Sequence, residues 1–263
     1  MPEPEPDDLN LLIDAACEGG KIAMRYWRND PKVWDKGDGA GPVTEADFEV
    51  DGMLRDRLTA ARPDYGWLSE ETEDGTERLD KARVFIVDPI DGTRAFVDGQ
   101  TPFALSLAVV ENSQPTAAAV FLPAKNKLYT AARGHGAFLN GEEIMVSVPG
   151  ERPRVLATKP NFDPKHWRGG IPELDRHFRP SLAYRLALVA EGAFDGMLTL
   201  RDAWEWDIAA GALLVTEAAG TTSDVKGCAL RFNNPHPQTR GVIAGPGVLH
   251  ASVLDRLQVP ARL

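Results

Sequence analysis

The sequence has few of the features that mark secreted and membrane proteins. Its two cysteines, Cys17 and Cys228, lie far apart and form no metal-ligand spacing, a usage typical of a reducing compartment. We interpret both as core thiols. No apolar run approaches the length of a membrane span, and the acidic, proline-rich first eight residues lack the basic and apolar regions of a signal peptide. These absences predict a cytoplasmic protein.

Positive charge is also scarce. Lysine and arginine together number 29, against 39 aspartate and glutamate residues, which gives a formal net charge of −10. This balance disfavours nonspecific binding to a nucleic acid polymer or to an anionic membrane, because both need clustered basic side chains. A small anionic substrate is still compatible with it, since metal ions bound at an acidic site reverse the local field.

Several common catalytic motifs are missing as well. The sequence has no Gly-x-x-x-x-Gly-Lys phosphate loop and no Gly-x-Ser-x-Gly nucleophile turn, and its five histidines are scattered without metal-ligand spacing. The chemistry must therefore come from other side chains. With 263 residues, the chain is long enough for one large domain or two intimately packed domains.

Acidic residues instead follow an apolar segment near the middle of the chain. Residues 84–87 are β-branched or aromatic and suit a strand buried on both faces. Asp88 and Pro89 should end this strand, because proline cannot donate to a sheet ladder. Asp91 then lies in a turn with Gly92, whose N–H attracts an anion if a helix begins there. The strand thus delivers two carboxylates to a common space.

Two further acids follow the same pattern. A strand predicted at residues 65–68 runs into Glu70, and Asp207 precedes an alanine-rich helix predicted at residues 208–219. The alternative for Asp207 is an ordinary carboxylate that interacts with the helix dipole.

Two polar residues in the first part of the chain allow two interpretations each. Asp47 ends the stretch Thr44-Glu45-Ala46-Asp47, which has the form of a helix capping box, so helix chemistry alone can explain it. Lys36 lies in the charged, glycine-containing segment 32–42, whose composition is typical of a mobile loop. Its ammonium either reaches a ligand or is a solvated surface group.

The remaining pattern predicts two subdomains. Residues 1–148 form an N-terminal α+β subdomain that carries Glu70, Asp88 and Asp91, and residues 149–263 form a C-terminal α/β subdomain that carries Asp207. Short strands separated by turn signals predict an antiparallel meander in the first half. The predicted helices cover residues 9–27, 44–62, 181–191, 208–219 and 246–257, and the predicted strands, besides those above, cover 103–110, 117–122, 128–132, 137–139, 155–158, 194–200 and 242–244.

If the four carboxylates of Glu70, Asp88, Asp91 and Asp207 converge, they select a metal. Four negative charges in a desolvated cleft either raise one another's pKa values or bind cations, and all-oxygen ligation favours Mg²⁺. Mg²⁺ keeps several waters, shares phosphate oxygens and lowers the pKa of a bound water. The combination predicts phosphoryl chemistry.

Three segments resemble the signatures of the inositol monophosphatase superfamily. They are Trp-Leu-Ser-Glu-Glu at 67–71, Val-Asp-Pro-Ile-Asp-Gly-Thr at 87–93 and Trp-Asp-Ile-Ala-Ala-Gly at 206–211, in the family's order. The resemblance implies an α/β fold, a layered α-β-α-β-α sandwich. It also implies a phosphoric monoester hydrolase with two or three Mg²⁺ ions per subunit, inhibition by Li⁺, and a homodimer.

The same resemblance implies roles for individual residues. The implied metal ligands are Glu70, Asp88, the carbonyl of Ile90, Asp91 and Asp207. The implied catalytic residues are Thr93, Asp47 and Glu70, of which the first two activate the attacking water. The implied substrate contacts are Gly92, Thr93, Arg185 and Asp207. Lys36 falls in a loop where the family often binds a further, weakly held metal.

The departures from the family pattern concern the substrate. Leu200 stands where members that act on inositol phosphate carry a glutamate, Ser69 replaces the usual glycine, and Arg94-Ala95 replaces the common Thr-Asn. Residues 185–192 and 205–207 look like the 3'(2'),5'-bisphosphate nucleotidase branch, in which a lysine occupies the position of Arg185. The resemblance to this branch makes 3'-phosphoadenosine 5'-phosphate the expected substrate. The alternatives are an inositol-1-monophosphatase and, outside enzymes, a metal-binding interaction protein without turnover.

Overall fold

The computed structural model describes residues 6–37 and 41–258. The helices are α1 (Pro6–Tyr26), α2 (Glu45–Ala61), α3 (Thr93–Val97), α4 (Leu182–Ala190), α5 (Glu205–Glu217) and α6 (Gly247–Arg256). The strands are β1 (Val33–Asp35), β2 (Pro42–Thr44), β3 (Gly66–Ser69), β4 (Arg83–Asp91), β5 (Ala104–Glu111), β6 (Gln114–Leu122), β7 (Lys127–Ala132), β8 (Ala137–Leu139), β9 (Glu142–Ile144), β10 (Arg154–Leu156), β11 (Asp175–His177), β12 (Gly196–Thr199), β13 (Ala203–Trp204), β14 (Thr221–Ser223), β15 (Gln238–Thr239) and β16 (Val242–Gly245).

Two larger sheets follow one another along the chain. Strands β3 to β9 form a seven-stranded sheet in sequence order, in which β3 is parallel to β4 and the other neighbours are antiparallel. The predicted meander is thereby confirmed. A five-stranded sheet has the order β11-β10-β12-β16-β14. The boundary predicted at residues 148 and 149 falls between the two sheets, and the division into two subdomains stays a prediction.

Alternating side chains along the strands produce the layers. On β4, Phe85 and Val87 pack with α1 and α2, whereas Val84 and Ile86 point the other way, into a core shared with α4 and α5. A third apolar cluster, which includes Val253 of α6, packs on the outer face of the five-stranded sheet. The order of layers is therefore helix, sheet, helix, sheet, helix, which confirms the predicted α-β-α-β-α sandwich.

Strand β4 does not end at Pro89, contrary to the prediction. It pairs with β5 at Asp88 and again at Asp91, with a register shift between these two residues. Because of this irregularity, no hydrogen bond to β5 requires a backbone N–H at residue 89. Proline is therefore tolerated inside the strand. The helix considered after Gly92 is present as α3.

Helix α5 begins three residues earlier than predicted, at Glu205. The N–H of Glu205 donates to the carbonyl of Pro237 at 3.0 Å, next to the pairing of β13 with β15. The start of the helix is thus set by contacts between segments distant in sequence, which the local pattern at 208–219 does not contain. Asp207 still lies in the first turn, as predicted.

Segment 32–42 contains more structure than a mobile loop. β1 lies within the segment and pairs antiparallel with β2, which begins at its last residue. Residues 38–40 lie outside the described residues. Lys36 is partly buried and its Nζ pairs with Glu70 and Glu71, so the interpretation as a solvated surface lysine is wrong.

The two cysteines are free thiols in different environments. Cys17 is partly buried and Cys228 is exposed, so the prediction of a core thiol is wrong for Cys228. Cys228 lies in a turn held by Asp224, whose Oδ1 accepts the Cys228 N–H at 2.8 Å, and this turn keeps it at the surface. None of the helices in the described ranges is long and apolar enough to cross a membrane.

Candidate active site and metal centre

Three carboxylates from separate elements meet at one point. Ligand oxygens of Glu70, Asp88 and Asp207 all lie within 4.8 Å of one another. Glu70 follows β3, Asp88 lies on β4, and Asp207 lies in the first turn of α5. The parallel register of β3 and β4 pairs Ser69 with Val87, so the next residues, Glu70 and Asp88, emerge side by side.

The seven-stranded sheet holds the start of α5 beside Asp88. Ser106 on β5 is the Cα partner of Asp88, and its Oγ donates to the carbonyl oxygen of Trp206 at 2.9 Å. This hydroxyl therefore couples the strand that carries Asp88 to the helix that carries Asp207.

A buried hydrogen-bond network holds the same helix end from another side. The carboxylate of Glu205, which is fully buried, accepts the N–H groups of Asn233 at 2.6 Å and Asn234 at 3.0 Å. Arg78 is also buried and donates to Asn233 Oδ1 at 2.5 Å and to the carbonyl of Asn234 at 3.0 Å. The network, Arg78–Asn233–Asn234–Glu205, joins the segment after β3 to the start of α5, and these two elements carry two of the three carboxylates.

Asp91 is held by the beginning of α4. Its Oδ2 accepts hydrogen bonds from Ser181 Oγ and from the N–H of Ala183, both at 2.6 Å. Asp91 lies outside the 4.8 Å cluster, yet its charge acts on Asp88 and Asp207. Its expected role as a metal ligand stays a prediction.

Thr93 and Asp47 lie against each other at the edge of the cluster. Thr93 Oγ1 donates to the carbonyl of Ile90 at 3.1 Å and lies 3.4 Å from Asp47 Oδ1. The other oxygen of Asp47 accepts the N–H of Thr44 at 2.8 Å, which completes the predicted capping box. One carboxylate therefore serves the start of α2 with one oxygen and faces the site with the other.

The glycine at the end of β4 is required by its geometry. Gly92 has φ +95, in the left-handed region that L side chains rarely adopt, and a Cβ there would lie 3.3 Å from the carbonyl of Pro102. This conformation reverses the chain directly after Asp91 and starts α3.

Burial and mutual repulsion dominate the electrostatics of the acids. Burial raises the pKa values of Asp88 and Asp207 well above their usual range, and the charges of Glu70 and Asp91 raise them further. Burial likewise raises the pKa of Asp91 to about 6 and the pKa of Asp47 to about 6. Oxygen donors that repel one another in this way fit a hard divalent cation, whose charge offsets the repulsion.

Lys36 supplies a cation at the edge of this acidic group. Its Nζ lies 2.8 Å from Glu70 Oε1 and 2.6 Å from Glu71 Oε1. Burial opposes the charge of Lys36, but the two carboxylates raise its pKa overall. Burial also raises the pKa of Glu71 to about 7.

The two residues that bear on the substrate lie in apolar surroundings. Arg185 is 4% exposed, its Nε donates to the carbonyl of Arg179 at 2.5 Å, and its guanidinium lies 4.7 Å from the ring centre of Phe178. Burial lowers the pKa of Arg185 to about 10. Leu200 packs on the apolar cluster at the outer face of the five-stranded sheet. Contact of Arg185 with a substrate phosphate stays a prediction.

Sequence reasoning did not find the residues that position the acids. They are Ser106, Ser181 and Glu205. A helix start was predicted at residue 181, but the bond from Ser181 to Asp91 joins positions 90 residues apart. Ser106 and Trp206 are 100 residues apart. No local pattern records such contacts.

Comparison with known proteins agrees with this geometry. The model of the inositol monophosphatase family matches residues 7–259. The chain belongs to the inositol monophosphatase family. An inositol-1-monophosphatase of Rhizobium meliloti is 37% identical over 83% of this chain and 86% of that protein, and one of Mesorhizobium japonicum is 32% identical over 96% of each. A solved IMPase of Thermotoga maritima has a TM-score of 0.80 at 32% identity and covers 95% of this chain and 96% of its own.

Membership of the inositol monophosphatase family makes the protein a phosphoric monoester hydrolase of a metal-dependent family. The superfamily and the reaction type predicted from the sequence are confirmed.

Proposed function

We propose that this family member is a Mg²⁺-dependent phosphatase that hydrolyses a small anionic phosphate monoester with an activated water. The observation that carries the proposal is the approach of Glu70, Asp88 and Asp207 to within 4.8 Å of one another. Bound Mg²⁺ supplies charge neutralisation for the phosphate and lowers the pKa of a coordinated water.

The chain's own residues divide the work. Glu70, Asp88 and the carbonyl of Ile90 would hold one ion, and Asp88, Asp91 and Asp207 would hold a second. The clustering of Glu70, Asp88 and Asp207 supports this assignment. The ions bind with all-oxygen ligation, which is the preference of Mg²⁺.

Thr93 and Asp47 orient the attacking water in this proposal. The Thr93 proton is directed to Ile90 O and Asp47 Oδ1, which leaves the lone pairs of its oxygen to accept a hydrogen bond from a water. Gly92 and Thr93, at the turn into α3, lie beside the phosphate. This arrangement favours an enzyme over a metal-binding interaction protein. A protein that only binds metal does not need side chains that orient and activate a water.

Phosphate release with and without Mg²⁺ tests the reaction. Purified protein should release phosphate from a phosphate monoester in the presence of Mg²⁺ and should stop when EDTA is added in excess. Binding of Mg²⁺ without any phosphate release would favour the interaction protein.

Within this reaction we propose 3'-phosphoadenosine 5'-phosphate as the preferred substrate, with inositol 1-phosphate as the alternative. Leu200 supports the nucleotide, because it offers no carboxylate to the hydroxyls of a sugar alcohol at the position where the family places one. The names of the relatives from Rhizobium meliloti and Mesorhizobium japonicum support inositol 1-phosphate. The ratio of kcat/KM for the two substrates decides between them.

Arg185→Ala tests the proposed contact with the non-reacting phosphate of the nucleotide. A charge-assisted hydrogen bond contributes roughly 1.5–3 kcal/mol, so the change should lower kcat/KM for the bisphosphate about tenfold or more. Hydrolysis of an aryl phosphate should be nearly unaffected. Equal losses on both substrates would mean that Arg185 only packs α4 through the carbonyl of Arg179 and the ring of Phe178.

The proposal also covers the cellular location of the enzyme, its oligomeric state and its inhibition by Li⁺. We propose a homodimer that is inhibited by Li⁺, on the strength of the family, and a cytoplasmic location, on the strength of the cysteine usage. Sedimentation equilibrium gives the oligomeric state, and phosphate release at increasing LiCl, against NaCl as control, gives the inhibition.

A further inference from the structure

An exposed aromatic surface lies directly before the metal-binding carboxylate of α5. Trp204 is 37% exposed and stacks on Trp206, with ring centroids 4.6 Å apart and an interplanar angle of 8°. His236 contacts Trp204 edge-on at 5.6 Å. Trp206 is buried beneath, so the stack is a rigid platform rather than a loose side chain.

The platform is close to the reacting centre because of its position on the helix. Trp204 is the N-cap of α5 and Asp207 is the third helical residue. These positions lie within one helical turn, about 5–6 Å between their Cα atoms. Trp204 therefore lies next along the helix end to Asp207, whose carboxylate belongs to the cluster with Glu70 and Asp88.

Charge and polarity around the platform match an aromatic leaving group. Arg201 is exposed in the connection between β12 and β13, and its charge acts on both Asp207 and Arg185. The segment that leads into α5 thus offers a flat π-surface and a cation, and these features suit a planar, anionic molecule better than a polyol.

We propose that Trp204, supported by Trp206 and His236, forms a subsite that stacks against an aromatic ring in the leaving group of the substrate. The subsite rests on the proposed phosphatase function and deepens it, because it assigns the substrate class: phosphate monoesters of a nucleoside or another ring-bearing alcohol. Trp204 acts on substrate binding, and the metal-binding carboxylates act on the reaction itself.

Steady-state kinetics of Trp204→Ala with two substrates test the subsite. Stacking of a base on an aromatic side chain contributes about 1–3 kcal/mol, so KM for adenosine 3'-phosphate should rise roughly 5- to 100-fold with kcat little changed. KM for inositol 1-phosphate and the inhibition constant of inorganic phosphate should stay within about twofold, because neither ligand has a ring to stack.

Two further variants of Trp204 distinguish the loss of stacking from a general structural effect. Trp204→Phe keeps an aromatic face and should restore most of the affinity for adenosine 3'-phosphate. Trp204→Leu keeps apolar contact with Trp206 without a π-face and should behave like Trp204→Ala. Thermal unfolding of each variant reports whether it is folded, and only folded variants enter the comparison.

The outcomes separate the subsite from the proposed function. Equal rises in KM for both substrates, or no rise in a folded Trp204→Ala or Trp204→Leu variant, would overturn the subsite while the phosphatase stands. Failure of the unmodified protein to release phosphate from either substrate with Mg²⁺ would overturn the proposed function, and the subsite with it.

Discussion

Asp88 is the residue at which the negative charge of the site concentrates. It is buried on β4, and the charges of Glu70, Asp91 and Asp207 all act on it. Its Oδ1 also accepts the N–H of Ile90 at 2.9 Å, which turns the carboxylate toward the irregular end of the strand. In the proposed function Asp88 is a metal ligand, and without metal its buried, repelled charge opposes stability.

Asp88→Asn is therefore expected to remove turnover and to stabilise the metal-free protein. A neutral amide is a weaker ligand for a divalent cation than a carboxylate, and its introduction relieves the repulsion felt by the neighbouring carboxylates. Isothermal titration with Mg²⁺ and thermal unfolding in EDTA measure the two effects. Unchanged Mg²⁺ binding in the variant would show that the end of β4 is not the metal centre.

The role proposed for Thr93 is separate from metal binding, and a single substitution can isolate it. Positioning of a general base or its water typically contributes about 10²–10⁴-fold, so Thr93→Ala should lower kcat by that order. Mg²⁺ affinity should change little, because the Thr93 side chain is not among the proposed ligands. Weaker Mg²⁺ binding with kcat preserved at saturating Mg²⁺ would contradict this division of roles.

At the scale of secondary-structure elements, the site depends on where α5 begins. Ser106 and Glu205 hold its first turn, and Gly211 lets it approach α4, since a Cβ at that position would lie 2.5 Å from the Cβ of Leu186. The glycine of the third signature is thus explained by close packing of α4 on α5. Asp207 is placed by these contacts, and not by helix chemistry alone.

Glu205→Ala is expected to weaken Mg²⁺ binding without direct contact with the metal. The change leaves the N–H groups of Asn233 and Asn234 without their acceptor, and loss of a residue that positions a metal ligand typically costs roughly 10- to 100-fold in affinity or activity. Glu205→Gln keeps one acceptor oxygen and should recover part of the loss. Isothermal titration with Mg²⁺ measures both variants.

Asn161→Ala is the matched control for Glu205→Ala. Asn161 is equally a buried polar residue, and its Nδ2 donates to the carbonyl of Leu198 at 2.9 Å, on the five-stranded sheet. Both changes should lower the melting temperature, because each leaves a buried group unpaired. Only Glu205→Ala should alter Mg²⁺ affinity, and equal affinities in the two variants would contradict the role of the network.

At the scale of the whole molecule, the acids predict opposite effects of pH with and without metal. Asp47 and Asp91 have pKa values of about 6 in the folded protein, and those of Asp88 and Asp207 are well above the usual range. Because these pKa values are raised on folding, the protonated groups contribute stability that is complete below about pH 4. The part from Asp47 and Asp91 is lost as the pH rises through about 6, and the part from Asp88 and Asp207 is lost as the pH rises through their own raised pKa values.

In EDTA, the melting temperature should therefore be higher at pH 6 than at pH 8. Mg²⁺ binds the ionised carboxylates, so saturating Mg²⁺ should raise the melting temperature more at pH 8 than at pH 6. Thermal unfolding at both pH values, with EDTA and with Mg²⁺, measures the four states. Asp88→Asn should show a smaller difference between the two pH values in EDTA, and a higher melting temperature of the metal-free protein at pH 8 would contradict the pKa directions.

The sequence by itself determined the elements and the identity of the acids. The apolar run at 84–87 placed a buried strand before Asp88, the box from Thr44 to Asp47 placed the start of α2, and three short signatures identified the family. These features are local, because strand burial, helix capping and turn geometry depend on neighbouring residues.

Only the tertiary structure decided how the acids are held. Ser106 and Trp206, or Asp91 and Ser181, are about a hundred positions apart, and their contacts arise when α4 and α5 pack against the seven-stranded sheet. Tertiary burial also set the surroundings of Lys36 and Arg185. Lys36 pairs with Glu70, and Arg185 is buried on α4. Packing of distant segments sets such contacts and the low-dielectric surroundings that shift pKa values, and neither is written in the spacing of residues along the chain.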